Sequence, residues 1–87
     1  MIPFPGSAFT DTTVIFNWTA GAGASAYRLD IGSVPRGNQY YQSGNLGNVL
    51  TTTVYSLAAD NSTIYVTLYS LVGGQWLSNA YTYTSGP

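Results

Sequence analysis

The 87-residue chain contains no cysteine, no histidine, no lysine and no glutamate, and each absence removes a class of chemistry. Without cysteine there is no disulfide, no thiolate nucleophile and no thiolate metal ligand. Without histidine, lysine or glutamate, acid–base and covalent catalysis have only Asp11, Asp30 and Asp60 to draw on. Those three lie in or beside separate turns and strands, so solvated turn and edge carboxylates are expected, no cofactor is implied, and the chain is read as a non-enzyme. Hydrolysis by paired carboxylates would need two of them to meet about 5–9.5 Å apart.

Charge is scarce as well. Arg28 and Arg36 are the cations, the net charge is −1, and charged residues make up 6% of the chain, against about 25% in an average soluble domain. Phosphate neutralisation is therefore not available, and neither nucleic acid nor an anionic membrane surface is an expected partner. No apolar run reaches the 18 residues of a membrane-crossing helix, so no membrane insertion is expected. Met1-Ile2-Pro3-Phe4-Pro5-Gly6 has neither the basic nor the apolar part of a signal peptide, so an exported form is expected to have had its signal removed or carried upstream.

What is present is apolar and aromatic: 45% hydrophobic and 15% aromatic residues, including eight tyrosines. That is enough for one core and too short a chain for two, so residues 1–87 are read as one domain with a linker-like segment at 1–6. The surface must be built from Thr, Ser, Asn, Gln, Gly and Tyr. Such a surface points to an extracellular or cell-surface protein.

Runs rich in Val, Ile, Thr, Tyr and Phe recur at about ten-residue spacing between Gly, Asn, Ser and Asp clusters, the signature of an all-β sandwich or barrel. Residues 12–19 alternate so that Val14, Phe16 and Trp18 share a face, with Trp18 as a core anchor. Residues 25–32 repeat the pattern, placing Tyr27, Leu29 and Ile31 inward and the pair Arg28 and Asp30 toward water. A short strand is expected at 39–42. Another spans 49–57, with Leu50 and Val54 inward.

Residues 63–72 and 75–84 flank Gly73-Gly74, a dipeptide suited to a two-residue turn with positive φ at both positions. That register sets Ile64 opposite Tyr83 and Val66 opposite Tyr81 on one face. On the other it sets Tyr65 opposite Thr82, Tyr69 opposite Ser78 and Leu71 opposite Trp76. Branched aliphatics bury without a polar atom to satisfy, so the Ile64, Val66, Leu68 face is assigned to the core. A one-residue slip would exchange the faces, and in the alternative assignment the aromatic face is the buried one.

Taken together, a Pro-containing first segment, Trp18 late in a strand, the Tyr27-x-Leu29-x-Ile31 strand, Leu57 before a corner and Tyr65 after it resemble a fibronectin type III domain. The likeness is to the repeats of secreted and surface bacterial proteins and of phage virions. It implies a single antiparallel β-sandwich of about seven strands, immunoglobulin-like, with the Tyr65 hydroxyl tied back to the backbone at the corner. Eight positions separate Leu57 from Tyr65, somewhat more than in the family's corner. Arg36-Gly37-Asn38 differs from the integrin tripeptide in its last residue and its loop.

Two shorter signals remain. Asp60-Asn61-Ser62 is the one local oxygen cluster for calcium, and Asx-turn chemistry, the expected reading, accounts for it without a metal. Asn17-Trp18-Thr19 and Asn61-Ser62-Thr63 fit the N-glycosylation pattern. If the strand of residues 25–32 pairs with the hairpin as in the family, Trp76, Tyr69 and Tyr65 lie beside Arg28 and Asp30 on the outward face. The expected function is structural or adhesive, through contact with copies of itself or other protein domains and assembly into oligomers or fibres. The alternative is a carbohydrate-binding module, with glycans stacked on Trp76, Tyr69 and Tyr65.

Overall fold

Period-two alternation yields strands in a computed structural model that describes residues 2–86. They are β1 (Val14–Asn17), β2 (Ala24–Gly32), β3 (Tyr41–Gln42), β4 (Thr51–Val54), β5 (Thr63–Val72) and β6 (Gln75–Thr84). No helix occurs among the described residues. Every strand pairing is antiparallel, in one sheet of order β1-β4 and a second of order β3-β2-β5-β6. The protein is therefore all-β with antiparallel sheets, a layout compatible with a sandwich.

The longest element is the β5–β6 hairpin. Gly73 and Gly74 have φ of 57° and 80°, the left-handed values that a type I′ turn requires at both central positions. The turn fixes Val72 opposite Gln75 and carries the register uninterrupted to Thr63 opposite Thr84. Ile64, Val66 and Leu68 consequently face the core, together with Tyr27, Leu29 and Ile31 of β2. The facing layer contributes Val14, Phe16 and Val54, and Trp18 follows β1 into the same core.

Aromatic contacts link the two layers. Phe16 of β1 meets Tyr83 of β6 edge-on with ring centroids 6.0 Å apart, and Phe9 stacks on Tyr83 at 5.0 Å. At the other end Trp18 lies 5.8 Å from Tyr27, whose hydroxyl accepts a hydrogen bond from the Gly21 N–H. Burial on the inner face fades toward the hairpin turn. Tyr83 is 2% exposed and Leu68 5%, whereas Leu77, in phase with Tyr83, is 52% exposed.

Six strands stand among the described residues where the sequence suggests about seven. Pro3 and Pro5 lack the N–H that a continuous ladder needs, and the N-terminal segment bonds at isolated points instead. Ile2 exchanges two backbone bonds with Asn17, and Ala8 forms a parallel bridge to Thr84. The strand expected at 49–57 contracts to Thr51–Val54, so Val54 is buried as expected but Leu50 is not: it is 41% exposed, preceding the ladder with β1.

The tie between a tyrosine hydroxyl and the backbone comes from a different residue than the resemblance implies. Tyr83 donates to the Pro3 carbonyl at 2.8 Å, while Tyr65 makes no side-chain hydrogen bond among the described residues. Burial, with electrostatic repulsion from Tyr81 acting in the same direction, raises the Tyr83 pKa above its ordinary value of 10.0. The neutral hydroxyl is thus favoured in the fold. Its contribution is complete below the unfolded pKa and is lost as pH rises toward the folded one. Tyr83→Phe should cost about 1 kcal/mol at neutral pH. Its deficit against wild type should shrink once pH exceeds 10.0, as followed by urea denaturation at stepped pH.

Candidate functional site

Because β2, β5 and β6 are consecutive in the sheet and in register, alternate residues form rows across the outer face. Nearest the turn, Ala26 and Leu71 align with Trp76; next come Arg28, Tyr69 and Ser78. Then follow Gln42, Asp30, Thr67 and Ala80, and finally Gly32, Tyr65 and Thr82. All five residues singled out in the sequence, Trp76, Tyr69, Tyr65, Arg28 and Asp30, lie on this face.

They do not form one cluster. Arg28, Asp30 and Tyr69 meet: the guanidinium donates to Asp30 Oδ2 at 2.9 Å and its carbon sits 4.7 Å from the Tyr69 ring centroid. Trp76 lies one row nearer the turn, diagonal to Tyr69, and is 37% exposed. Tyr65 lies two rows the other way, so at about 3.3 Å per residue it stands about 20 Å along the strand from the Trp76 row.

The expectation that Arg28 and Asp30 both face water is corrected by their exposures. The Asp30 side chain is 4% exposed and that of Arg28 30%. Asp30 sits between Arg28 and the half-buried rows, opposite Thr67, itself 1% exposed, with Gln42 on its other side. The outward face of a strand in mid-sheet is shielded by neighbours on both sides, which alternation along one strand cannot report. The ion pair is therefore a structural element that also occupies one face of the Tyr69 ring.

A loop closes the Tyr65 end. Gly32 lacks a side chain where a Cβ would approach the Gly37 Cα to 2.7 Å, and the side-chain amide oxygen of Gln39, Oε1, accepts the Ser33 N–H at 3.1 Å. The open part of the face is thus its hairpin end, with Trp76 outward and Leu77 on the opposite side of the same strand. The lack of lysine leaves strand edges in general unguarded, but alternation along the chain marks neither Leu77 nor β6 in particular. The only local signal for that edge is the lack of any charged residue from 63 to 84.

The remaining candidates resolve as local turns. Asp60 Oδ1 accepts from the Ser62 N–H and hydroxyl and from the Ser85 hydroxyl. Ser85 is fully buried and in turn accepts from the Asp60 and Ser62 N–H groups. This is Asx-turn chemistry joining the corner to the C-terminal end. Asp11 accepts from the Thr12 and Thr13 N–H groups in a second such turn. Among the described residues no three metal-ligating side chains gather. A groove of about 300 Å³ beside Pro3, Phe9 and Asp11 lies away from the outer face. Of the two glycosylation patterns, Asn17 lies in β1 paired with Thr51 of β4 and Asn61 is exposed.

Two outcomes follow from these contacts. Arg28→Met should cost about 2–3 kcal/mol, below the 3–5 kcal/mol of a fully buried pair because the arginine is partly solvated. Adding Asp30→Asn should recover part of that loss in a double-mutant cycle, whereas simple additivity would show the pair uncoupled. The hydrogen bonds from Ser62, then Ser85, hold the Asp60 pKa below 3.8. Their stabilisation is present above that value and is lost as pH falls through the folded pKa. The gap in urea midpoint between wild type and Asp60→Asn should therefore close on acidification.

Compared with known proteins, the chain matches no protein-family model, no curated protein and no solved structure.

Proposed function

We propose that the chain is a non-enzymatic, extracellular structural or adhesive module of fibronectin type III-like fold that works through protein–protein contact. The observation that carries this reading is the hairpin end, where Trp76 is 37% and Leu77 52% exposed on opposite faces of one strand without charge. Exposed aromatic and aliphatic side chains on an uncharged surface are the composition of interface centres.

Strand grouping supports the fold. With the N-terminal segment lettered A, the β1–β4 pair corresponds to B and E, and the other sheet to C′-C-F-G, the division found in immunoglobulin-like sandwiches. The inward Trp18 and Tyr27, Leu29 and Ile31 agree with the same comparison. An extracellular setting is supported by the 6% charge content.

The carbohydrate reading has less support. One face of the Tyr69 ring is covered by Arg28, and Tyr65 and Trp76 stand too far apart for a single sugar ring to span. In sedimentation equilibrium at millimolar concentration the isolated chain should form species heavier than the monomer. Trp76→Arg with Leu77→Arg should return it to monomer with unchanged circular dichroism. A wild-type chain that stays monomeric would overturn the association reading.

A further inference from the structure

In β6 the backbone groups of even-numbered residues point away from β5. The N-terminal segment demonstrates this: Gly6 donates to the Thr82 carbonyl, Thr84 donates to Ser7, and Phe9 donates to the Thr84 carbonyl. By the alternation of a strand, the N–H and C=O groups of Trp76, Ser78 and Ala80 point the same way. None of them has a backbone partner among the described residues. The N-terminal segment cannot extend to cover them. Pro5 and Pro3 offer no N–H, and a turn closed by Ser7 N–H to the Phe4 carbonyl leads the chain across to Asn17.

Half of this edge is therefore covered and half is open. The open half lacks the usual guards: no lysine, no proline, no bulge and no charge interrupts residues 75–84. The opposite edge of the sheet, β3, is two residues long and offers little to pair with.

We propose that β6 pairs antiparallel with β6 of a second copy about a two-fold axis at Ser78, joining the two sheets into one. This rests on the association reading and names its partner and geometry. Ser78 faces Ser78 of the second copy, and Trp76 faces Ala80 in both directions. Each facing pair exchanges two backbone hydrogen bonds, about six in all. On the outer face the large indole lies against a methyl group, and on the inner face Leu77 lies opposite Asn79, so neither face sets bulk against bulk. No like charges oppose one another. With β3 too short to serve as a second joint, the pairing closes as a dimer and does not propagate into a fibre. An interface of this limited area is weak, with dissociation in the micromolar to millimolar range.

Hydrogen exchange by NMR tests it on the wild-type chain, at low micromolar and at millimolar concentration. The amides of Trp76, Ser78 and Ala80 should slow by about tenfold or more at the higher concentration, while those of Leu77 and Asn79, already bonded to β5, stay slow throughout. Ser78→Pro removes both central donors without touching the β5 ladder, and should abolish the dimer in a folded chain. A dimer whose three edge amides still exchange fast, or one unaffected by Ser78→Pro, overturns the edge pairing and leaves association through the Trp76 face standing. Growth into fibres overturns the two-fold closure. A chain that remains monomeric at millimolar concentration overturns both.

Discussion

The register of the β5–β6 hairpin governs the rest of the molecule. A two-residue turn at Gly73-Gly74 admits one pairing, Val72 with Gln75, and the nine further pairs inherit it. Parity then decides everything on both faces: Ile64, Val66, Leu68 and Tyr83 go to the core, and Tyr65, Tyr69 and Trp76 go outward. A slip of one residue in β6 would turn Tyr83 outward and bring Trp76 inward, losing the fit of Tyr83 to Phe9 and Phe16. β2 aligns on β5 with the same parity, so the two longest pairings reinforce one another.

With no cysteine and 87 residues, the fold has no covalent staple, and the ends of the chain take over that role. Ile2 bonds to Asn17, Gly6 and Phe9 bond to β6, Tyr83 reaches Pro3, and Ser85 closes the Asp60 corner. The same N-terminal segment that shields β6 at Thr82 and Thr84 departs at its prolines and leaves the edge nearer the turn bare. Shielding and exposure on β6 thus have a common cause.

The outer face shows how a charge-poor chain uses its few charges. Asp30 is buried in mid-sheet because Arg28 neutralises it, and Arg28 is held there partly by the Tyr69 ring. The guanidinium therefore serves the fold rather than a ligand. What the face retains for contact is its hairpin end, where Trp76 is 37% exposed.

Much of this was legible in the residues themselves. Strand positions, the inward sets Val14, Phe16, Trp18 and Tyr27, Leu29, Ile31, and the full hairpin register follow from alternation and turn chemistry, which act between neighbours in the chain and need no knowledge of the fold. Parity groups Tyr65, Tyr69 and Trp76 on one face, and the branched aliphatics of the other face mark theirs as the outward one. Other features depended on what lies alongside a residue in space. The burial of Asp30, the exposure of Leu50, the transfer of the hydroxyl tie from Tyr65 to Tyr83, and the half-covered edge of β6 depend on strand order and on where Pro3 and Pro5 send the chain. Alternation tells which way a side chain points; only the assembled sheets decide whether anything stands there to meet it.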